Sequence, residues 1–584
     1  MKTFLENARV ALLAERNERG HWTGELSSSA LSTATAMIAL HFVDAEQHSE
    51  VIEGGRDWLL STQNDNGGWG DTSISFSNIS TTLLVWSALA LVDDAEDAID
   101  RSECWIRGHV GSLDPDEIKA KVIARYGKDK TFSVPILMAC ALGGRLGNSP
   151  KEGWRRVLAL PFELAAFPRK WYGALKLPVV SYALPALIAI GYARHFHARP
   201  FFLFRPLRRL TWKRVSALLS EIQPAGGGYL EATPLTSFVT MALAGADQKS
   251  HPVVPKAVSF ILASVRPDGS WPIDTNLATW GTTLATKALT VSSDSRADFP
   301  AKDRQSVLTW LLDQQYRTVH PFTVSPPGGW AWTDLSGGVP DADDTAGALL
   351  ALHRLAGNDP EVRERAVAGV IWLLDLQNRD GGIPTFCRGW GALPFDRSSP
   401  DITAHALRAL TIWRPHFDEH LRHRIDKATS KILRYLKATQ EADGSWTPLW
   451  FGNQHLANEN NRTYGTAHVL LALAEHSSAA TMNKIARQWL LATQSKNGGW
   501  SGGDPANGTS IEETALALSA LATGGLTPEF EKGLEHLRTL TKNGTHFPPA
   551  PIGFYFAKLW YWERIYPIVW TVEALERSGG RKER

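Results

Sequence analysis

Three carboxylates fall within four residues at Asp341-Ala342-Asp343-Asp344, directly ahead of the run Thr345-Ala346-Gly347-Ala348-Leu349-Leu350. Alone, such a cluster reads as an acidic helix N-terminus, which the helix dipole favours. If the group is buried, like charge and desolvation push a carboxyl upward, and Asp343 then keeps its proton at neutral pH as a strong acid. His405, in Asp401-Ile402-Thr403-Ala404-His405, opens a second Ala/Leu-rich stretch, where a lone histidine is ordinarily a hydrogen-bonded core residue. The chain also holds 23 Trp against 22 Phe and 11 Tyr, many of the tryptophans beside glycine in polar stretches, so structure or ligand must use them.

Composition narrows the partner. Lysine plus arginine (61) balances aspartate plus glutamate (60), without the basic footprint of a nucleic-acid binder, so no nucleic acid is expected. Cys104, Cys140 and Cys387 are far apart with no CxxC pair, which supports neither a disulfide framework nor a zinc cluster and fits a reducing cytosol. Charges at Lys2, Glu6, Arg9, Glu15 and Arg16 argue against a secretory signal. The most apolar segment, Leu175 to Tyr192, is interrupted by Lys176, Pro178 and Pro185 and leads through Arg194, His195, His197 and Arg199 to Phe201-Phe202-Leu203-Phe204, a pattern suited to one leaflet rather than two.

The elements that must position these residues follow from a repeat. Trp58 is followed by Gln63, Gly67 and Trp69; the same grid fits Tyr435, Gln440, Gly444 and Trp446, and Trp489, Gln494, Gly498 and Trp500. Looser copies are Leu218-Gln223-Tyr229, Phe260-Val265-Trp271, Trp372-Gln377-Ile383, and Trp310-Gln315 with an insertion before Gly328-Gly329-Trp330; His21-Trp22 lacks the glutamine. Each copy reads as a helix, a Gly-Trp turn and a second, alanine-rich helix narrow enough to pack inside. The fold class expected is all-α, two α/α barrels built from repeated helical hairpins, with the Gln and Trp residues stapling turns rather than catalysing.

The grid resembles the QW repeat of the squalene and oxidosqualene cyclases, from about Gly20 to Ala574, and Asp341-Ala342-Asp343-Asp344-Thr345-Ala346 is similar to the DxDDTA motif of class II terpene cyclases acting on unoxidised polyprenes. Asp401 to His405 resembles the family's DVTAH stretch, and Pro327-Gly328-Gly329-Trp330-Ala331-Trp332 precedes the acidic motif at the family spacing. The resemblance implies that Asp343 protonates a linear polyprenoid such as squalene, with Asp341 and Asp344 flanking it, His405 hydrogen-bonding it and Asp401 in the same catalytic group. Protonating an alkene needs a dry cavity, and the cations that follow need ring faces, worth on the order of 2 kcal/mol each when desolvated. Tyr182, Trp280, Trp332, Trp450, Phe554, Phe556, Trp560 and Tyr561 occupy the matching aromatic positions.

It further implies a hopene-like product, no metal or other cofactor, a monotopic place on the cytoplasmic face of a bacterial-type membrane with Leu184 to Phe204 as the mouth, and dimers in some members. The barrels are expected over 1–20 with 276–584, carrying the acid, and over 21–275. Several departures bear on the product: Gly281 stands where many members have Asp, the loop through Phe386, Trp390 and Phe395 is short, and the C-terminal alignment slips by one residue, leaving open which aromatics point inward. Asp93-Asp94-Ala95-Glu96-Asp97 matches the DDxxD of class I terpene synthases but lacks a downstream metal triad and reads as a solvated helix end. A prenyltransferase β-subunit would need a zinc ligand cluster, and an α/α-barrel glycosidase would not need the apolar segment. A cyclase of a different-length polyprenoid and a non-catalytic isoprenoid-binding toroid remain as alternatives.

Overall fold

The computed structural model describes residues 2–127, 129–168, 184–198, 204–386, 388, 394–506, 508–554 and 558–579. The second helix of each repeat has almost no polar face, as in Ile79–Leu89, Ala278–Leu289 and Ile511–Leu521, where every residue is buried, Lys287, Glu512 and Glu513 included. A helix without a polar face has to be enclosed. Six such helices, Ala278–Leu289, Ala342–Ala356, Pro400–Trp413, Arg462–Leu473, Ile511–Leu521 and Tyr566–Gly579, pack each on the next and the last on the first. Amphipathic helices surround this ring, and the N-terminal helix Lys2–Ala14 takes the outer place against Tyr566–Gly579. A second ring closes through Ala30–Asp44, Ile79–Leu89, Lys130–Leu142, Leu184–His197 and Thr233–Gly245. The fold is all-α, two α/α barrels, and the strands described are two short hairpins, Ile383–Pro384 with Ser398–Ser399 and Ile552–Phe554 with Leu559–Tyr561.

The repeat residues are the staples of both rings. The indoles of Trp69, Trp271, Trp446 and Trp500 donate at 2.7–2.8 Å to the carbonyls of Leu59, Ile261, Leu436 and Leu490 on their own outer helices. Each repeat glutamine donates twice, to its turn and to the next outer helix: Gln63 to Gly67 O (2.8 Å) and Ala98 O (3.0 Å), Gln494 to Gly498 O and Glu529 O (both 2.7 Å). The turn glycines need the left-handed region: Gly381 has φ +95°, and a Cβ there would stand 2.5 Å from Lys431 O. Inner-helix threonines complete the motif, among them Thr345, whose hydroxyl accepts from Trp330 N at 3.0 Å and so ties the Asp341 helix to the Gly-Gly-Trp turn.

Polar clasps join the rings: Trp560 N donates to Asp71 (2.7 Å), Gly337 N to Glu231 (2.6 Å), and Arg125 pairs with Glu459 (2.7 Å). Leu184–His197 opens the segment expected as a membrane mouth. It is an inner helix of the second ring with Ile188, Ala189 and Ile190 fully buried, so ring packing accounts for most of its apolarity.

Candidate active site

Asp341 caps the helix Ala342–Ala356, its Oδ1 accepting from Asp343 N and Asp344 N, both at 2.9 Å. This turn, pinned by Thr345 and by Asp341 N to Trp330 O (3.0 Å), aims all three carboxyls at one cavity. Burial pushes the Asp341 and Asp344 carboxyls upward, and the neighbouring Asp341 charge adds to the rise at Asp344. The Asp343 side chain keeps 18% exposure while His405 behind it keeps 2%, with His405 Nδ1 2.6 Å from Asp343 Oδ1. Burial raises the Asp343 carboxyl, offset in part by His468 and Lys287, and burial together with Lys287 holds His405 well below its ordinary range. Both shifts act in the direction that favours a protonated acid backed by a neutral imidazole.

Asp401 sits in the first turn of the His405 helix, accepts from the Ser399 hydroxyl, and is pushed by burial to about 7. It is not on the cavity wall; it is one more buried carboxyl, close enough for the Asp343 charge to act on it. Lys287, which no motif singles out, lies with its Nζ 3.0 Å from His405 Nε2 and 5.6 Å from the Trp280 ring centre.

The cavity in front of Asp343 spans about 1380 Å³, counted with the solvent space at its open side, and is walled by both rings. Trp280, Trp332, Trp450, Phe554 and Tyr561 all line it. Trp280 donates to Tyr566 Oη (3.0 Å), which bonds Tyr561 Oη (2.8 Å), and Phe554 stands 5.4 Å from Trp450 and 5.7 Å from Tyr561. Trp560 is a correction: it is buried but absent from the wall, because it alternates with Leu559 and Tyr561 along one strand and only those two face inward. Tyr182 and Phe556 lie outside the described residues. The second ring contributes Phe132, Phe238 and Asp274, which carry no motif and were missed; Lys287 left one trace, a lone charge in an otherwise uncharged inner helix. The wall's only ionisable groups among the described residues are carboxyls and tyrosines, and none is basic. Asp93 and Asp94 sit on the surface at a helix start, Arg56 lying 3.9 Å from Asp94, and among the described residues no cluster of His, Cys, Asp and Glu could hold a metal.

The squalene-hopene cyclase C-terminal domain model matches residues 276–577 and its N-terminal counterpart residues 5–123. The chain is 25% identical over 609 residues to a probable squalene–hopene cyclase of Sinorhizobium fredii, covering 93% of this chain and 91% of that one. It is 26% identical over 579 residues to the enfumafungin synthase of Hormonema carpetanum, covering 85% of this chain but 42% of that longer protein. Among solved structures, ent-copalyl diphosphate synthase from Streptomyces platensis shares the fold at a TM-score of 0.58 and 19% identity, over 99% of this chain and 100% of that one. With its acid at the start of an inner helix, a histidine behind that acid and an aromatic-lined cavity in front, the chain belongs to the squalene-hopene cyclase family and is a class II terpene cyclase.

Proposed function

We propose that the enzyme cyclises squalene, or a linear polyprenoid of similar length, to a hopene-like polycyclic hydrocarbon. The observation that carries this reading is the Asp343 carboxyl opening onto a large cavity whose described wall is aromatic and aliphatic and bears no basic side chain. A hydrocarbon suits that wall; a diphosphate headgroup would have to shed its water against described residues that offer it no cation.

The proton of Asp343 moves to one carbon of the terminal alkene, whose π pair forms the new C–H bond and leaves a tertiary cation on the other carbon. Each following double bond attacks the cation before it, forming one C–C bond and passing the charge along. Trp280, Trp332, Trp450, Phe554 and Tyr561 offer their ring faces to the charge as it moves. Loss of a proton, or capture of water, ends the sequence, and solvent must restore the proton to Asp343. No metal or redox group is required by this chemistry.

The substrate's insolubility makes a membrane-surface enzyme the natural reading. Support comes from Phe167, just past Phe162–Ala166, Phe196 on Leu184–His197, and Leu207 and Leu210, the last 79% exposed, on Phe204–Glu221, three elements that pack together. Among the described residues no helix is long and apolar enough to cross a membrane. Within the chain we assign 1–20 and 276–584 to the acid-bearing barrel and 21–275 to the other.

The test is incubation of purified enzyme with squalene, shorter and longer polyprenes and geranylgeranyl diphosphate, followed by mass spectrometry. A ring-containing isomer of squalene is expected. Turnover of the diphosphate in place of squalene would overturn the substrate assignment.

A further inference from the structure

The inner helix Ala278–Leu289 carries one charged residue, Lys287, and it is 4% exposed. Lysine is almost never buried this deeply without a partner. Here the partner is His405: Lys287 Nζ lies 3.0 Å from Nε2, and on the other side of the ring Nδ1 lies 2.6 Å from Asp343 Oδ1. The three side chains form one line from the barrel interior to the cavity wall.

Donor inventory fixes the protons along that line. An ammonium has three hydrogens to give and no lone pair. Nε2 must therefore accept, the ring hydrogen must sit on Nδ1, and Nδ1 must donate to Asp343 Oδ1. The transferable proton is left to the other Asp343 oxygen. We propose that Lys287 is a positioning residue for proton transfer: it holds His405 as the neutral Nδ1–H tautomer, and its charge offsets the carboxylate left on Asp343 once the proton has gone. Without Lys287 the imidazole is free to accept the Asp343 proton at Nδ1, or to take it altogether, and either arrangement withholds it from an alkene. The inference rests on Asp343 being the proton donor.

Other charges converge on the line from every neighbouring inner helix. Arg354 lies on the Asp343 helix, Arg408 on the His405 helix, His468 on Arg462–Leu473 with Glu475 just beyond it, and Glu573 and Arg577 on Tyr566–Gly579. Glu573 is held ionised by Arg577, Arg408 and Lys287 together, and of these cations Lys287 is the one in contact with Nε2. Burial brings Lys287 down to about 8, so it is mostly protonated at neutral pH and loses its charge on the alkaline side. A unit charge about 8 Å from the carboxyl, at an effective dielectric near 20, changes the equilibrium for forming the carboxylate about thirtyfold.

The test uses the full chain with ¹⁵N-labelled histidine, the His405 signals assigned by their loss in His405→Gln. Between pH 5 and 7 the wild type is expected to show a protonated Nδ1 and a bare Nε2, and Lys287→Met to lose that pattern. With squalene as substrate, Lys287→Met is expected to lose about ten- to a hundredfold in turnover. Lys287→Arg, which keeps the donor and the charge, is expected to stay within a fewfold of wild type and to move the alkaline decline in activity upward. An Nε2–H tautomer in the wild type, or wild-type turnover and pH profile in Lys287→Met, would overturn the proposal. Should Lys287→Met not fold, the wild-type spectrum and the Lys287→Arg profile decide it. An inactive Asp343→Asn beside a fully active Lys287→Met sinks this inference alone, whereas an active Asp343→Asn sinks the donor assignment beneath it.

Discussion

Replacing Asp343 by Asn removes one proton and little else. Among the described residues the side chain makes a single hydrogen bond, from His405 Nδ1 at 2.6 Å, and the Asn carbonyl can accept it equally well. The position also opens onto the cavity with 18% side-chain exposure, so the swap neither empties a core site nor buries a new charge. The expected cost in stability is within about 1 kcal/mol, about 2 °C or less in Tm for a chain of this size. Activity is another matter. A positioned general acid ordinarily contributes about 10²- to 10⁴-fold. An unactivated alkene is too weak a base to take a proton from water, so the loss should reach the upper end, about 10⁴-fold or about 5.5 kcal/mol in the barrier. His405→Ala should cost less: it withdraws a hydrogen bond to a developing carboxylate, about 1.5–3 kcal/mol, and hence about ten- to a hundredfold. Single-turnover conversion of squalene, with circular dichroism melts of each variant, measures both. A folded Asp343→Asn enzyme working within tenfold of wild type would remove the proposed proton source and the mechanism built on it.

Trp450→Leu should leave initiation intact and release partly cyclised products, since one ring face is lost while Asp343 is untouched; an unchanged product profile by mass spectrometry would show that this indole does not meet the cation. Leu207→Glu with Leu210→Glu should lower liposome binding at least tenfold, two exposed leucines being worth about 3 kcal/mol or more on insertion; equal co-sedimentation of variant and wild type would clear this face of a membrane role. Turnover should survive excess EDTA, and a loss reversed by magnesium would return attention to Asp93–Asp97. Glu512, bonded by Ala550 N at 2.8 Å, is pushed by burial to about 8. A carboxyl raised on folding has its full stabilising effect below its unfolded value of 4.5 and loses it as pH climbs through about 8. Glu512→Gln should therefore raise Tm relative to wild type at pH 9 more than at pH 6, and equal shifts at the two values would refute the assignment.

The repeated helical hairpins and the acid were legible because each rests on local spacing. A glycine forced to positive φ, a glutamine reaching its own turn and an indole reaching back to its own helix recur at fixed intervals, so the grid is visible in one dimension. The triplet at Asp341 was legible for the same reason: a cap and two neighbours in one helical turn are adjacent in the chain. Side-chain direction in the irregular C-terminal segment was not legible. That Phe554 and Tyr561 face the cavity while Trp560 turns away depends on the pairing of Ile552–Phe554 with Leu559–Tyr561, and a one-residue slip in that register would exchange them. Nor could spacing reveal the second-ring wall of Phe132 and Phe238, or a lysine whose partner is 118 residues away. The sequence by itself determined the hairpins, the caps and the presence of an acid, which are set within one or two turns of chain. Only ring closure decided what that acid is, by bringing His405, Lys287 and a dry aromatic wall from separate helices to a single carboxyl.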